Sequence, residues 1–248
     1  MNPELNRRVA VVTGGATGIG RATSVLLAKQ GISVAVVYSR SVEEAEQLVA
    51  DIQAAGSRAM AVQAPIEDAR SVDSMIDSVV GAWGRIDYLI NNAGVTRQLR
   101  FDDLEGITDD AWNDLFAVNV KGTFNCCRAA APHLKRQQGA SIVNVGSVAG
   151  ETGYGSSLPY AVSKAAVHGL TRSLARALAP KVRVNCIAPG AVETRWWRGH
   201  EDKMRALSGH LALQRISSPE DIAQLILMLL NAESMTGQIV RAYNGQTL

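Results

Sequence analysis

A chain of 248 residues is long enough to bury a full core, and its 47% apolar and 19% charged residues carry a formal net charge of +2. That balance excludes a disordered chain and one that coats a polyanion, so no nucleic-acid partner is expected. The apolar run after Arg7 and Arg8 is broken by Thr13, Gly14 and Gly15 far short of a membrane span or a secretion signal; no membrane partner is expected, and the cytoplasm is the expected compartment.

In chain order, β-branched residues over 9–13 predict a strand, closed by glycines, and apolar residues at helical spacing over 19–29 predict a helix ending near Gly31. The alternation repeats: strand 33–38, helix 42–55 stopped by Gly56, strand 59–63, helix 71–83, strand 86–90. A long helical stretch over about 109–136 leads to a strand at 141–145, a second over 160–179 to a strand at 182–187, and a last helix at 219–230 to a final strand near 239–242. Strands alternating with helices imply right-handed crossovers and a parallel sheet covered on both faces, an α/β, Rossmann-type doubly wound fold. No linker or repeat interrupts it, so residues 1–248 read as one domain. Cys126, Cys127 and Cys186 have no ligand spacing and read as reduced core thiols. His133, His168, His200 and His210 form no zinc motif, and no metal is expected.

Two local patterns carry chemistry. Thr13-Gly14-Gly15-Ala16-Thr17-Gly18-Ile19-Gly20 lies at the first strand-to-helix junction, where side-chain-free positions let backbone approach a pyrophosphate and a helix N-terminus offers N–H groups to the anion. Tyr160 and Lys164 stand four apart in a helical pattern, which stacks a phenol and an ammonium on one face. A phenol titrates near ~10 and serves as an acid or base at neutral pH when a cation stabilises its anion. By itself each pattern also fits a tight corner or a half-buried tyrosine beside a solvated lysine.

Taken with Asn91-Asn92-Ala93-Gly94, Asn119, Ser147 and Pro189-Gly190, the Gly-x-x-x-Gly-x-Gly spacing and Tyr160-x-x-x-Lys164 resemble the short-chain dehydrogenase/reductase family nearly end to end. The resemblance implies a nicotinamide dinucleotide. Gly14, Thr17, Gly18, Ile19 and Gly20 would line its pyrophosphate; Asn91, Ala93 and Gly94 would flank the adenosine half; Pro189, Gly190, Val192 and Thr194 would border the nicotinamide. It also implies a catalytic set: Ser147 holds the carbonyl oxygen, Tyr160 donates the proton, Lys164 depresses the phenol pKa and grips the ribose, and Asn119 anchors a water leading to solvent. Tyr160 and Lys164 thus double as cofactor contacts.

NADP(H) is expected over NAD(H), because the second strand ends in Tyr38-Ser39-Arg40-Ser41 with no carboxylate before Glu43. An acid there would bind the ribose 2′-hydroxyl and repel a 2′-phosphate, whereas Arg40, helped by Ser39, suits the phosphate. Two departures run against the family pattern: Thr17, where NADP enzymes often carry a basic residue, and Pro65, where relatives have an acid near the adenine. Adenine contact would then fall to the backbone of Ile66, to Glu67 or to Asp68.

A small-molecule carbonyl or alcohol is the expected substrate, under a lid at about 194–218 headed by Trp196 and Trp197, with Arg198, Tyr154 and Leu158 as further wall candidates. Asn91-Asn-Ala-Gly-Val-Thr96 and Gly146-Ser-Val-Ala-Gly150 are similar to 3-oxoacyl-carrier-protein reductases. Arg176 could meet a carrier protein, but Pro132 stands where a second basic residue would, and Tyr243-Asn244-Gly245 replaces the usual Asp-Gly-Gly. The competing readings are an NAD-linked alcohol dehydrogenase and a dinucleotide sensor without chemistry. The resemblance further implies a homotetramer built on the long helices, whose alanine-rich faces at 128–131 and 175–179 suit close helix approach or packing on the chain's own sheet.

Overall fold

The computed structural model describes residues 8–197, 199, 202, 204 and 208–247. Its strands β1 Val9–Thr13, β2 Ser33–Tyr38, β3 Ala59–Gln63, β4 Tyr88–Asn91, β5 Ser141–Val145, β6 Arg183–Pro189 and β7 Ile239–Ala242 form one parallel sheet in the order β3-β2-β1-β4-β5-β6-β7. The order reverses between β1 and β4, so the loops leaving these two strands diverge to opposite faces and open a crevice at their carboxyl ends.

β1 is buried at every residue because both of its faces are covered. Val9 and Val11 point into the layer formed by α3 (Ala69–Trp83), α5 (Thr123–Leu134) and α7 (Leu158–Leu178). Ala10 and Val12 point into the layer of α1 (Gly18–Lys29), α2 (Val42–Ala54) and α8 (Pro219–Asn231). Ala130 and Ala175 lie in the first of these layers, so the alanine-rich helix faces serve the chain's own sheet. The three cysteines are free and buried, and burial pushes the thiols of Cys127 and Cys186 up to about 12, which keeps them protonated.

Two elements depart from the sequence reading. The fourth strand starts at Tyr88 and not at Ile86, because the buried Asp87 carboxylate receives Val9 N–H at 2.9 Å and binds Arg85 at 2.6 and 2.8 Å. The 109–136 stretch is not one helix: α4 (Asp109–Phe116) and α5 are joined by a π-helical turn, Ala117–Gly122. Gly122 presses on Ile66, whose Cγ1 would lie 2.7 Å from any added Cβ, so the widened turn fits only a bare backbone there. The buried residues of the π-turn are Asn119 and Gly122, so it contributes no fully buried apolar side chain by which periodicity could mark it. A short helix, α6 (Ala149–Thr152), follows β5.

Arg183 closes the C-terminal end of α8, donating to the carbonyls of Leu229 (3.0 Å), Leu230 (2.6 Å) and Ala232 (2.9 Å). Arg183→Met keeps the aliphatic stem and removes all three bonds. It is expected to cost about 2 kcal/mol in urea unfolding at an unchanged m-value; an unchanged midpoint would refute this capping role.

Candidate active site

At the crevice the glycine turn is held by Thr13 and Asn92. Asn92 Nδ2 donates to the carbonyls of Thr13 and Gly14, both at 3.0 Å, while Thr13 Oγ1 accepts from the N–H of Asn92 (3.1 Å) and Ala93 (3.0 Å). Gly14 and Gly18 take left-handed φ of +61° and +52°, and a Cβ on Gly20 would fall 2.1 Å from Gly14 O. Thr17 sits at the N-cap of α1 without capping it through its side chain, and the first turn contains no acid. Helices α3, α4, α7 and α8 are capped by Asp68, Thr108, Ser157 and Ser218. The first-turn amides of α1, around Gly18, Ile19 and Gly20, therefore remain available to an anion. A dinucleotide pyrophosphate fits this turn.

At the adenosine end Ser39 and Arg40 are exposed after β2, and Gln63 Nε2 ties down Ser39 O at 3.0 Å. Beyond β3 the Asp68 carboxylate caps α3, accepting from Arg70 and Ser71 N–H, and Ile66 O accepts from Asn125 Nδ2 at 3.0 Å. Each of these oxygens keeps a further lone pair, so Ile66, Glu67 and Asp68 all stand at the adenine end as named. The Asn91 amide Nδ2 bonds Asn144 Oδ1 (2.8 Å) and Cys127 Sγ (3.1 Å) inside the sheet.

Ser157 and Pro159 start α7 and place Tyr160 and Lys164 on its buried face, 9% and 5% exposed. Ser147 follows β5, and its hydroxyl accepts from Ala149 N–H at 3.1 Å and bonds Tyr160. Burial pushes the phenol up to about 12 against the opposing effect of the Ser147 bond. Lys164 Nζ donates to Val145 O at 2.9 Å and lies 5.8 Å from the Tyr160 ring centre; burial pulls it down to about 8.

Asn119 lies in the π-turn and is buried. Its Oδ1 accepts from Val95 N–H (2.8 Å), and its Nδ2 donates to Val95 O (3.1 Å) and Ser163 Oγ (3.0 Å); Ser163 in turn donates to Tyr160 O at 2.7 Å. The amide thus joins the loop after β4 to α7. A water anchored by Asn119 would have to use its main-chain carbonyl, which already accepts from Thr123 Oγ1 and retains a second lone pair.

On the nicotinamide side Pro189 O accepts from Val148 N–H (2.8 Å), and Gly190 N–H reaches Ala242 O (3.0 Å). Val192 bridges Ser217 and Glu193 N–H bonds Ser217 O at 2.9 Å, so the two ends of the 193–216 excursion are joined. Thr194 Cγ2 lies 3.3 Å from where a Gly18 Cβ would stand, at the pyrophosphate turn. Of the residues named for the lid, the side chain of Trp196, and Arg198 altogether, lie outside the described residues.

Tyr154, stacked on Phe101 with ring centres 5.2 Å apart, and Ser156, in a hydroxyl pair with Thr96, flank Gly155, which lies against the Tyr160 ring. Sequence reading had named Tyr154 but neither Phe101 nor Gly155, whose added Cβ would approach the Tyr160 ring to 3.3 Å. Thr13, Asn92 and Ser163 were also missed as site residues, although each sits inside a motif string; the available signal was a polar residue beside the named positions, at strand ends for Thr13 and Asn92 and within α7 for Ser163.

The model of the short chain dehydrogenase family matches residues 8–205. The 3-oxoacyl-(acyl-carrier-protein) reductase FabG of Staphylococcus aureus is 38% identical over 95% of this chain and 96% of its own length. The short-chain dehydrogenase/reductase homolog YusR of Bacillus subtilis is 59% identical over 52% of this chain and its full length. A crystal structure of a short chain dehydrogenase from Burkholderia cenocepacia in complex with NADP superposes with a TM-score of 0.90 at 35% identity, covering 98% of this chain and 99% of that one. With the glycine turn and the Ser147–Tyr160–Lys164 cluster on one crevice, and with likeness running through nearly the whole chain, this protein belongs to the short-chain dehydrogenase/reductase family of oxidoreductases.

Proposed function

We propose that the protein reduces a ketone with NADPH, and reversibly oxidises the corresponding alcohol, using Tyr160 as the general acid and base. The bound dinucleotide supplies or accepts the hydride. Ser147 and Tyr160 present two hydroxyls to the carbonyl oxygen, and Tyr160 gives up its proton to the alkoxide as it forms. Lys164, cationic below about 8, offsets the charge left on the phenolate. The observation that carries this reading is the Ser147–Tyr160 hydrogen bond, buried at the mouth of the crevice with Lys164 one helical turn behind it.

Preference for NADPH is supported by the β2 end, where Arg40 is exposed, no carboxylate precedes Glu43, and Arg40 pairs with no acid among the described residues. The Phe101–Tyr154 wall suits an apolar ketone of small or medium size. The 194–218 segment would act as the substrate lid. Exposed Phe124 and Val162 on the two long helices, 41% each, and the open edge of β7 suit a homotetramer.

A panel of ketones and alcohols assayed with each cofactor tests the reading. Reduction faster with NADPH than with NADH is expected. A preference for NADH would favour the NAD-linked alcohol dehydrogenase, and failure of every carbonyl despite tight dinucleotide binding would point to a sensor. Light scattering is expected to return four copies; a monomer would remove the tetramer from the proposal.

A further inference from the structure

Arg195 opens the short 3-10 turn Arg195–Trp197 at the start of the lid, yet its guanidinium reaches across the crevice to the far end of the dinucleotide site. Nη2 donates to Ser41 Oγ at 3.1 Å, and Nη1 lies 3.5 Å from Glu44 Oε1. Ser41 is the N-cap residue of α2 but makes no side-chain cap, so its hydroxyl faces Arg195 in place of the helix amides. Arg195 and Glu44 are each 52% exposed, which leaves their pairing screened by water and easily exchanged. Between the two ends of the reach Thr194 lies against Gly18 of the pyrophosphate turn. The start of the lid therefore crosses the glycine turn, and its arginine comes to rest on Ser41 and Glu44, one and four residues beyond Arg40.

We infer that Arg195 is a second 2′-phosphate ligand, which exchanges Glu44 for the phosphate and so ties the start of the lid to the phosphorylated cofactor. The inference deepens the NADPH reading and rests on it. A dianionic phosphate between Arg40 and Arg195 receives charge-assisted hydrogen bonds from both guanidinia, stronger than the screened contact with one carboxylate. Glu44 then acts as an internal competitor, occupying Arg195 when the ribose carries no phosphate. The 2′-phosphate of NADPH would be recognised from two chain segments, the β2 turn and the lid, and NADH offers no such group to either.

The test is calorimetry with 2′,5′-ADP and 5′-AMP, which carry the adenosine half and no reacting ring. The wild type is expected to bind 2′,5′-ADP more tightly than 5′-AMP. Arg195→Gln is expected to weaken 2′,5′-ADP about five- to tenfold and leave 5′-AMP unchanged. Glu44→Gln is expected to tighten 2′,5′-ADP about twofold, and to have no effect once Arg195 is already Gln. A wild-type preference that survives Arg195→Gln intact would overturn the inference and leave the NADPH reading standing. No wild-type preference for 2′,5′-ADP would overturn both. Equal weakening of the two nucleotides by Arg195→Gln would show a merely structural role and also overturn it.

Discussion

Tyr160→Phe is expected to lower turnover by about three orders of magnitude while NADPH binding stays within about twofold of wild type. The substitution keeps the ring that packs with Leu115, Ala149 and Ala161 and removes only the hydroxyl bonded to Ser147. Stability should therefore be nearly unchanged, and the loss should appear in kcat and in kcat/KM alike, as for an interaction made in the transition state. Wild-type reduction carries a companion signature in pH. Lys164 holds its proton below about 8, and its charge is what compensates the phenolate left after proton donation, so the rate should be level at lower pH and fall as Lys164 deprotonates. Turnover in Tyr160→Phe within tenfold of wild type would remove Tyr160 from the chemistry.

Gly20→Ala should be nearly as damaging by a different route. Its methyl would stand 2.1 Å from Gly14 O and 2.6 Å from Asn92 Nδ2, and Asn92 is the side chain that holds the turn. Neither obstacle is the loose end of a flexible chain, so the turn itself must open. Dinucleotide affinity is expected to fall about 100-fold or more, with a stability loss of about 3 kcal/mol. Gly81→Ala in α3 is the matched control: nothing lies within 4 Å of its added Cβ, and helix propensity alone predicts a gain of about 0.5–1 kcal/mol. Fluorescence titration with NADPH and thermal unfolding read both. Wild-type affinity in Gly20→Ala would mean that the close approach at this turn is not needed.

Continuous β-branched and apolar runs predicted all seven strands, because helices cover both faces of the sheet, and apolar residues at helical spacing predicted the main helices apart from the break at Ala117–Gly122. What periodicity could not reveal was the π-turn at Asn119, whose inward residues are an asparagine and a glycine, and the start of β4, where Asp87 is used by Arg85 and Val9 N–H. The motif residues were legible as a set. Their individual tasks were less so: Asn91 turns inward to Asn144, the Asn119 amide is spent on Val95 and Ser163, and Asp68 caps α3.

By itself, then, the amino-acid sequence determined the alternation of elements and the glycine turn, which depend on residue type and local spacing, while the candidate catalytic groups entered through the family their motifs resemble as a set. Only the tertiary structure decided how those groups are tuned and what lies across from them. Burial sets Tyr160 near 12 and Lys164 near 8, and it does so through chain segments far apart in sequence. The contact of Arg195 with Ser41 and Glu44, some 150 positions away, exists only because the lid starts at one strand end and α2 at another, and the sheet brings both ends to one crevice.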